Sequence, residues 1–327
     1  KEKILQPAFI ESEFSRIKNN ATQAVQNNKK NAGYLARTAT RKLLNVDNIA
    51  ATPSEGNEAT LANITLEDIK AFYRSHFKPA AGQLIVVSDL DKLSLSKSIA
   101  ILAEWKGEGP KLDIELALPE TKPGVIYLVH KDNAARSAIR ISKRSIKQDI
   151  TGEYFRSNLM NFPLGGAFNS RINLNLREDK GYTYGARSLF NADKLSGTFT
   201  AVAEVRADVT DKSIVEFVKE IEQYWQKGIT TEELTFMRNA INQRDALEYE
   251  TPGAKLGFLA QILEYDLTPD FVKQQSDIVK NITAEEINAL AKKHLNIKEM
   301  IIVVVGNAEV LKPQLEALGY EVINFEI

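Results

Sequence analysis

Apolar residues recur every three to four positions over 11–25, 65–76, 209–226, 231–248 and 283–294. That period puts one greasy stripe on a helix, so the pattern predicts amphipathic helices there. Residues 125–129, 137–142, 182–190, 195–205 and 300–305 are apolar or alternating runs bounded by turn residues, and read as strands. Shorter segments, 150–162 and 168–178, read as further helices, the second following Gly165-Gly166. Strands come in pairs and helices in runs. The expected class is α+β, with helices on one face of a mostly antiparallel sheet.

The pattern also repeats. "NITLEDIKAFYRSHFKPAAGQLIVVSDLDKL" (63–93) matches "NITAEEINALAKKHLNIKEMIIVVVGNAEVL" (281–311). Each copy has a Thr N-cap with Glu in the first turn, a helix with a basic end and a His, and then a strand expected to be buried (84–87; 301–305). "ESEFSRIKNNATQAV" (11–25) matches "EELTFMRNAINQRDA" (232–246) at nearly the same offset, about 220 positions. Two matches at one offset indicate duplicated domains, because solenoid repeats recur every roughly 20–50 residues. The second copy has a long preamble, about 111–230, where the first has about ten residues. The expected organisation is therefore 1–108 as the back half of an incomplete first domain and 115–327 as a complete second one. The Gly-, Pro- and charge-rich 106–124 is the linker. Lys1, so close to a helical pattern, reads as a cut end.

Composition narrows the chemistry. The 327 residues are 43% apolar and 26% charged, as in a globular protein with room for two cores. With 42 basic and 43 acidic side chains there is no basic excess to attract nucleic acid or a membrane surface. No apolar run is long enough to span a bilayer. Without cysteine there is no disulfide, thiolate or Cys-based zinc site.

Candidate chemistry centres on "FPLGGAFNSRINLNLREDKGYTYGARS" (162–188). Gly165-Gly166 lacks the Gly-Lys-Ser/Thr or Gly-x-Gly-x-x-Gly context of a phosphate loop. It reads as a tight turn needing positive φ or close backbone approach. Arg177 closes a helix and Tyr184 begins the next strand, beyond the Gly181 turn. One reading makes them a capping cation and a half-buried sheet tyrosine. The other brings a guanidinium and a phenol to one edge, where both donate hydrogen bonds to a substrate carbonyl or a developing oxyanion. Tyr182 and Arg187 lie nearby. His76, His130 and His294 share no i, i+4 spacing and read as structural.

"LMNFPLGGAFNSRINLNLREDKGYTYGARS", with "NAARSAIRIS" (133–142) and "ITLEDIKAFYRSHFKPA…LIVVSDL", closely resembles the insulinase/pitrilysin zinc metallopeptidases and mitochondrial processing peptidases. The resemblance covers nearly the whole chain. It implies duplicated α+β domains in two halves clamped around a peptide chamber, one half carrying a His-x-x-Glu-His zinc motif and the other metal-free. In the family, a helix also bears a further zinc-ligand Glu. Here Pro7, Phe9 and Arg16 fit that stretch, but Ile17 replaces its first Glu and Ala24 occupies the ligand position. A methyl group cannot bind Zn²⁺. The resemblance thus identifies the metal-free half, binding no cofactor itself and partnered by a catalytic, zinc-carrying half on the same or a separate polypeptide. It also implies that Arg177 and Tyr184 face the substrate and that the Gly165-Gly166 turn borders the chamber. The lack of cysteine and the tandem layout fit a bacterial exported peptidase. The rival expectations are an inert scaffold subunit and a peptide binder that adds strands at an exposed sheet edge.

Overall fold

The computed structural model describes residues 2–46, 48–110, 116, 121–244 and 250–327. Part of the 106–124 linker and the end of the predicted 231–248 helix lie outside them. The chain forms two compact units. The larger comprises Asn28–Pro53, Glu115–Ala246 and Thr268–Ile327; the smaller comprises Lys1–Asn27, Ser54–Ile114 and Leu247–Leu267.

The larger unit holds six strands: β1 Val125–His130, β2 Arg136–Ser145, β3 Thr183–Ala192, β4 Gly197–Arg206, β5 Ile301–Gly306 and β6 Glu321–Asn324. They form one sheet in the order β3-β4-β2-β5-β1-β6. β1 runs parallel to β5 and β6, and the remaining pairs are antiparallel. The fold is α+β, as the pattern of elements predicts.

One face of this sheet carries Ile126, Leu128, Ile139, Ile141, Ile302 and Val304 against helices Glu153–Asn161, Thr210–Lys227 and Ala284–His294. In the second of these, Thr210, Ile214, Phe217, Ile221 and Tyr224 are buried at alternating spacings of four and three, with Ser213 beside them, the stripe its sequence predicts. Gly228, at φ 76°, ends it.

The opposite face is covered too, by a helix that periodicity did not single out. Ala36, Ala39 and Leu44 of Ala32–Leu44 pack on Val125, Tyr127, Ala138, Val303 and Val305. Continuous apolar runs such as VIYLV and IIVVV signal this burial on both sides. Ala32–Leu44 lies 220 positions before helix Pro252–Tyr265, which belongs to the smaller unit. Each unit therefore contains the helix of the other repeat. The repeat boundaries and the compact units are different divisions of the chain.

Elsewhere the repeat recurs in detail. Thr65 with Asp68 and Thr283 with Glu286 form the same capping box, opening Leu66–His76 and Ala284–His294. The strand that should follow the first of these does not form. Residues 83–88 take no regular secondary structure, and Leu84 and Val86 are 56% and 38% exposed. The equivalent β5 is held between β1 and β2, and among the described residues the smaller unit has no strand to play either part. An apolar sequence cannot be a buried strand without neighbours to complete its hydrogen bonds.

His294 is 5% exposed, and its Nε2 lies 2.7 Å from Glu153 Oε1. Burial pulls its pKa down, and the charges of Lys293 and Lys143 act the same way against the Glu153 hydrogen bond. Hydrogen bonding from Lys293, and then from His294, lowers the pKa of Glu153. Both groups hold fewer protons folded than unfolded: the contribution of His294 is full above the unfolded histidine value and is lost as pH falls through it, whereas that of Glu153 is lost only at lower pH, below the ordinary carboxylate value. Thermal melts followed by circular dichroism should show a lower Tm at pH 5 than at pH 7.5. The difference should shrink in His294→Gln, and an equal difference in both proteins would contradict this linkage.

Candidate functional site

The 162–188 segment is built by two wide turns. Ala167 N–H donates to Phe162 O across five residues (3.1 Å), and Lys180 N–H to Asn175 O in the same manner (3.0 Å). The first of these π-type turns closes helix Glu153–Asn161; the second follows the short α-turn Arg171–Asn173, so the helix predicted over 168–178 starts later and is wide rather than α-helical over most of its length.

Gly165 is fixed by close approach rather than by positive φ. A Cβ there would lie 2.1 Å from Ser188 Oγ and 2.3 Å from Ser188 N on β3. Asn161 completes the contact, its Nδ2 donating to Ser188 O (2.8 Å) and its Oδ1 accepting from Ser188 Oγ (2.5 Å). Gly166 is exposed, and a Cβ would stand 3.2 Å from Asn161 O.

The polar residues of the segment are anchors. Arg171 reaches Glu233 through Nε (2.5 Å) and Nη2 (2.6 Å), donates to Gly228 O (3.0 Å), and lies 4.7 Å from the Tyr224 ring. Asn173 Oδ1 accepts from Ala186 N (3.0 Å) while its Nδ2 donates to Phe168 O (2.8 Å). The segment is thereby tied to β3 at two places, Ala186 and Ser188.

Tyr184 stands where β3 is irregular. Pairing with β4 slips between Thr183 and Ala186. The Thr183 hydroxyl donates to Glu204 O (2.7 Å) and accepts from Gly185 N (3.1 Å), stabilising the bulge. The Tyr184 side chain is thrown outward, leaving the residue 80% exposed. Its ring stacks with Arg136, whose guanidinium carbon lies 4.7 Å from the centroid. This excludes the half-buried sheet tyrosine of the first reading; that description suits Tyr182, which packs against the core. Arg177, with its side chain 34% exposed, lies over the Phe168 ring at 4.5 Å and pairs loosely with Glu178 at 3.4 Å. Arg177 and Tyr184 each have a ring or cation partner of their own, and among the described residues no hydrogen bond or ring contact joins them.

Arg136 and Phe168 were not singled out by sequence reasoning. Arg136 lies within the "NAARSAIRIS" strand, but alternation there gave only its face of the sheet. The three histidines are engaged separately: His76 stacked on Phe72, His130 against Asp132 and Ala308 N, and His294 against Glu153. Among the described residues no group of three or more His, Cys, Asp or Glu is placed to hold a metal ion, and Ala24, in helix Glu11–Asn28, supplies no donor. Nor is any helix among them long and apolar enough to cross a membrane.

The sequence profile of the peptidase M16 inactive domain matches residues 63–241, more than half of the chain. The non-peptidase homolog YmxG of Helicobacter pylori is 22% identical over 314 residues, covering 94% of this chain and 71% of that protein. Among solved structures, a peptidase M16 inactive domain from Pseudomonas fluorescens superposes with a TM-score of 0.82 at 24% identity, over 92% of this chain and 72% of that one. A protease from Helicobacter pylori does so with a TM-score of 0.80 at 16% identity, over 91% and 72% of the two chains. At these identities the structural likenesses establish a shared fold. The profile match goes further: the chain belongs to the peptidase M16 family and carries its inactive, non-catalytic domain.

Proposed function

We propose that the chain is the non-catalytic half of a two-part zinc peptidase, lining the peptide chamber and donating hydrogen bonds to the substrate through Arg177 and Tyr184. The observation that carries this reading is the exposure of Tyr184 on a rigid bulge. An 80% exposed tyrosine, braced by Arg136 and with no hydrogen bond to its hydroxyl among the described residues, is a donor kept available. A residue serving only to pack would be buried. Arg177, half-exposed at the far end of the same segment, supplies a second donor held flat by Phe168. The turn at Gly165-Gly166 fixes the segment against β3 and borders the chamber.

The partner is a half bearing His-x-x-Glu-His, on the same or a separate polypeptide, which contributes the zinc and the general base. This chain contributes what the metal does not: donors aimed at the peptide backbone and at the charge that develops on the attacked carbonyl. Mixing the chain with such a half should give hydrolysis of an unstructured peptide faster than either component alone, read by release of a fluorogenic end. A catalytic half whose turnover is unchanged by the addition would refute the proposal. The scaffold reading is favoured by one observation, that a relative is a non-peptidase homolog. On that reading the two halves associate but hydrolysis does not rise.

A further inference from the structure

The open part of the sheet face beside helix Ala32–Leu44 carries an arginine row with no counter-ion among the described residues. Arg187 of β3 is opposite Val202 of β4, Val202 is opposite Arg140 of β2, and Arg140 is opposite Val303 of β5. Residues aligned across neighbouring strands share a face. Arg187 and Arg140 are thus two strand spacings apart, about 10 Å between backbones, within joint reach of one small anion. The helix packed on this face adds Arg37, adjacent to Ala36, which packs against the sheet.

Arg140 is the unusual member. Its Nε is buried and has no hydrogen-bond partner. Burial, followed by the charges of Arg37 and Arg187, brings its pKa down to about 10. Among the described residues no carboxylate pairs with Arg37, Arg140 or Arg187. Of the acids on this face, Glu321 is paired with Lys122, and Glu204 is exposed, lies opposite Ala138 rather than Arg140 and among the described residues makes no ion pair with the three arginines. The chain as a whole has net charge −1, so this is local and not a general basic surface. A half-buried guanidinium with an orphaned donor between two like charges is costly, and the cost is relieved when an anion binds.

We infer that Arg37, Arg140 and Arg187 form a binding site for a carboxylate of an extended peptide, either an Asp or Glu side chain or a free C-terminus. A planar carboxylate suits the forked donors of two arginines. β3 is an edge strand, but its outward backbone groups at Ala186, Ser188 and Phe190 are taken by Asn173, Asn161 and Tyr154, so a peptide would lie across this face rather than along the edge. Arg136, stacked on Tyr184, is four residues along β2 from Arg140, about 13 Å in an extended strand. The carboxylate site and the tyrosine would thus contact one peptide about four residues apart. That the ligand is a peptide rests on the function proposed above, whereas the arginine row does not.

The test is isothermal titration calorimetry on the chain, with no catalytic half and no turnover, at low ionic strength. The probes are an N-acetylated, C-amidated octapeptide of alanine and serine with one central glutamate, its glutamine twin, the twin with a free C-terminus, and glutarate. The glutamate or the free-acid peptide should bind about tenfold tighter than the amidated glutamine twin, and which of the two does so identifies the source of the carboxylate. The preference should disappear in Arg187→Gln, an exposed position whose replacement should leave the Tm unchanged, and in Arg140→Met. Equal affinities for all three peptides would overturn the site while leaving the peptide-chamber reading intact. A preference that survives in Arg187→Gln would overturn it as well. Binding of glutarate but of no peptide would overturn the peptide ligand, and the fault would then lie with the proposed function rather than with the arginines.

Discussion

Tyr184→Phe, in an enzyme reconstituted from this chain and a His-x-x-Glu-His half, is expected to lower kcat by about 10²–10³-fold, the usual loss when one oxyanion donor is removed. The substitution deletes one oxygen. The ring keeps its stack with Arg136, the bulge is held by Thr183 rather than by the phenol, and the hydroxyl has no partner within the described residues to lose. The Tm should therefore match the parent. Arg177→Ala should cost a similar factor, but it also strips the cation from Phe168, so KM is expected to rise together with the fall in kcat. Both variants are to be compared on one fluorogenic peptide under saturating conditions. If both turn over at the parental rate, Arg177 and Tyr184 are surface residues and the scaffold reading takes precedence.

Gly165→Ala is expected to lower stability by about 3 kcal/mol, the upper part of the usual overpacking range. For a unit of this size that corresponds to a Tm fall of roughly 6–12 °C. The added carbon would meet Ser188 N and Oγ at 2.3 and 2.1 Å, and Ser188 cannot retreat because it is paired with Ala201 in the sheet and bonded to Asn161. Gly166→Ala is the control. Its nearest neighbour would be Asn161 O at 3.2 Å and the residue is exposed, so the loss should stay below about 1 kcal/mol. Calorimetric melts of the two variants, one residue apart, separate steric necessity from a general requirement for glycine. Equal Tm values would mean that the turn relaxes and that the close approach is dispensable.

The strands and most helices were legible because their signals are local. Alternation or a continuous apolar run marks β1 to β5, and the capping boxes at Thr65 and Thr283 mark where two matched helices start. Signals that depend on a neighbour were not legible. Residues 83–88 have the composition of a strand, yet strand formation depends on what lies alongside. β6, four residues long at the sheet edge, has too little pattern to stand out. Helix Ala32–Leu44 buries small residues, Ala36 and Ala39, whose weak apolar contrast hides its contact with the second face of the sheet. At the site, the Arg177 and Tyr184 spacing was readable, as was the need for glycine at 165. The partners Phe168 and Arg136 were not, because a cation over a ring is a tertiary contact with no sequence period.

The interleaving of the two units bears on how the chain matures. Pro252–Tyr265 belongs to the smaller unit but is made after four of the six strands of the larger one, while Ala32–Leu44 belongs to the larger unit and is made before any of them. Emerging from a ribosome, the first hundred residues cannot complete their unit, and the later segments have to find helices from the opposite end of the sequence. Such long-range closures slow folding and leave apolar surface open in the interval. Neither unit is a contiguous stretch, so a cut in the 106–124 linker releases no self-sufficient piece: each fragment would leave carrying a helix that the other requires.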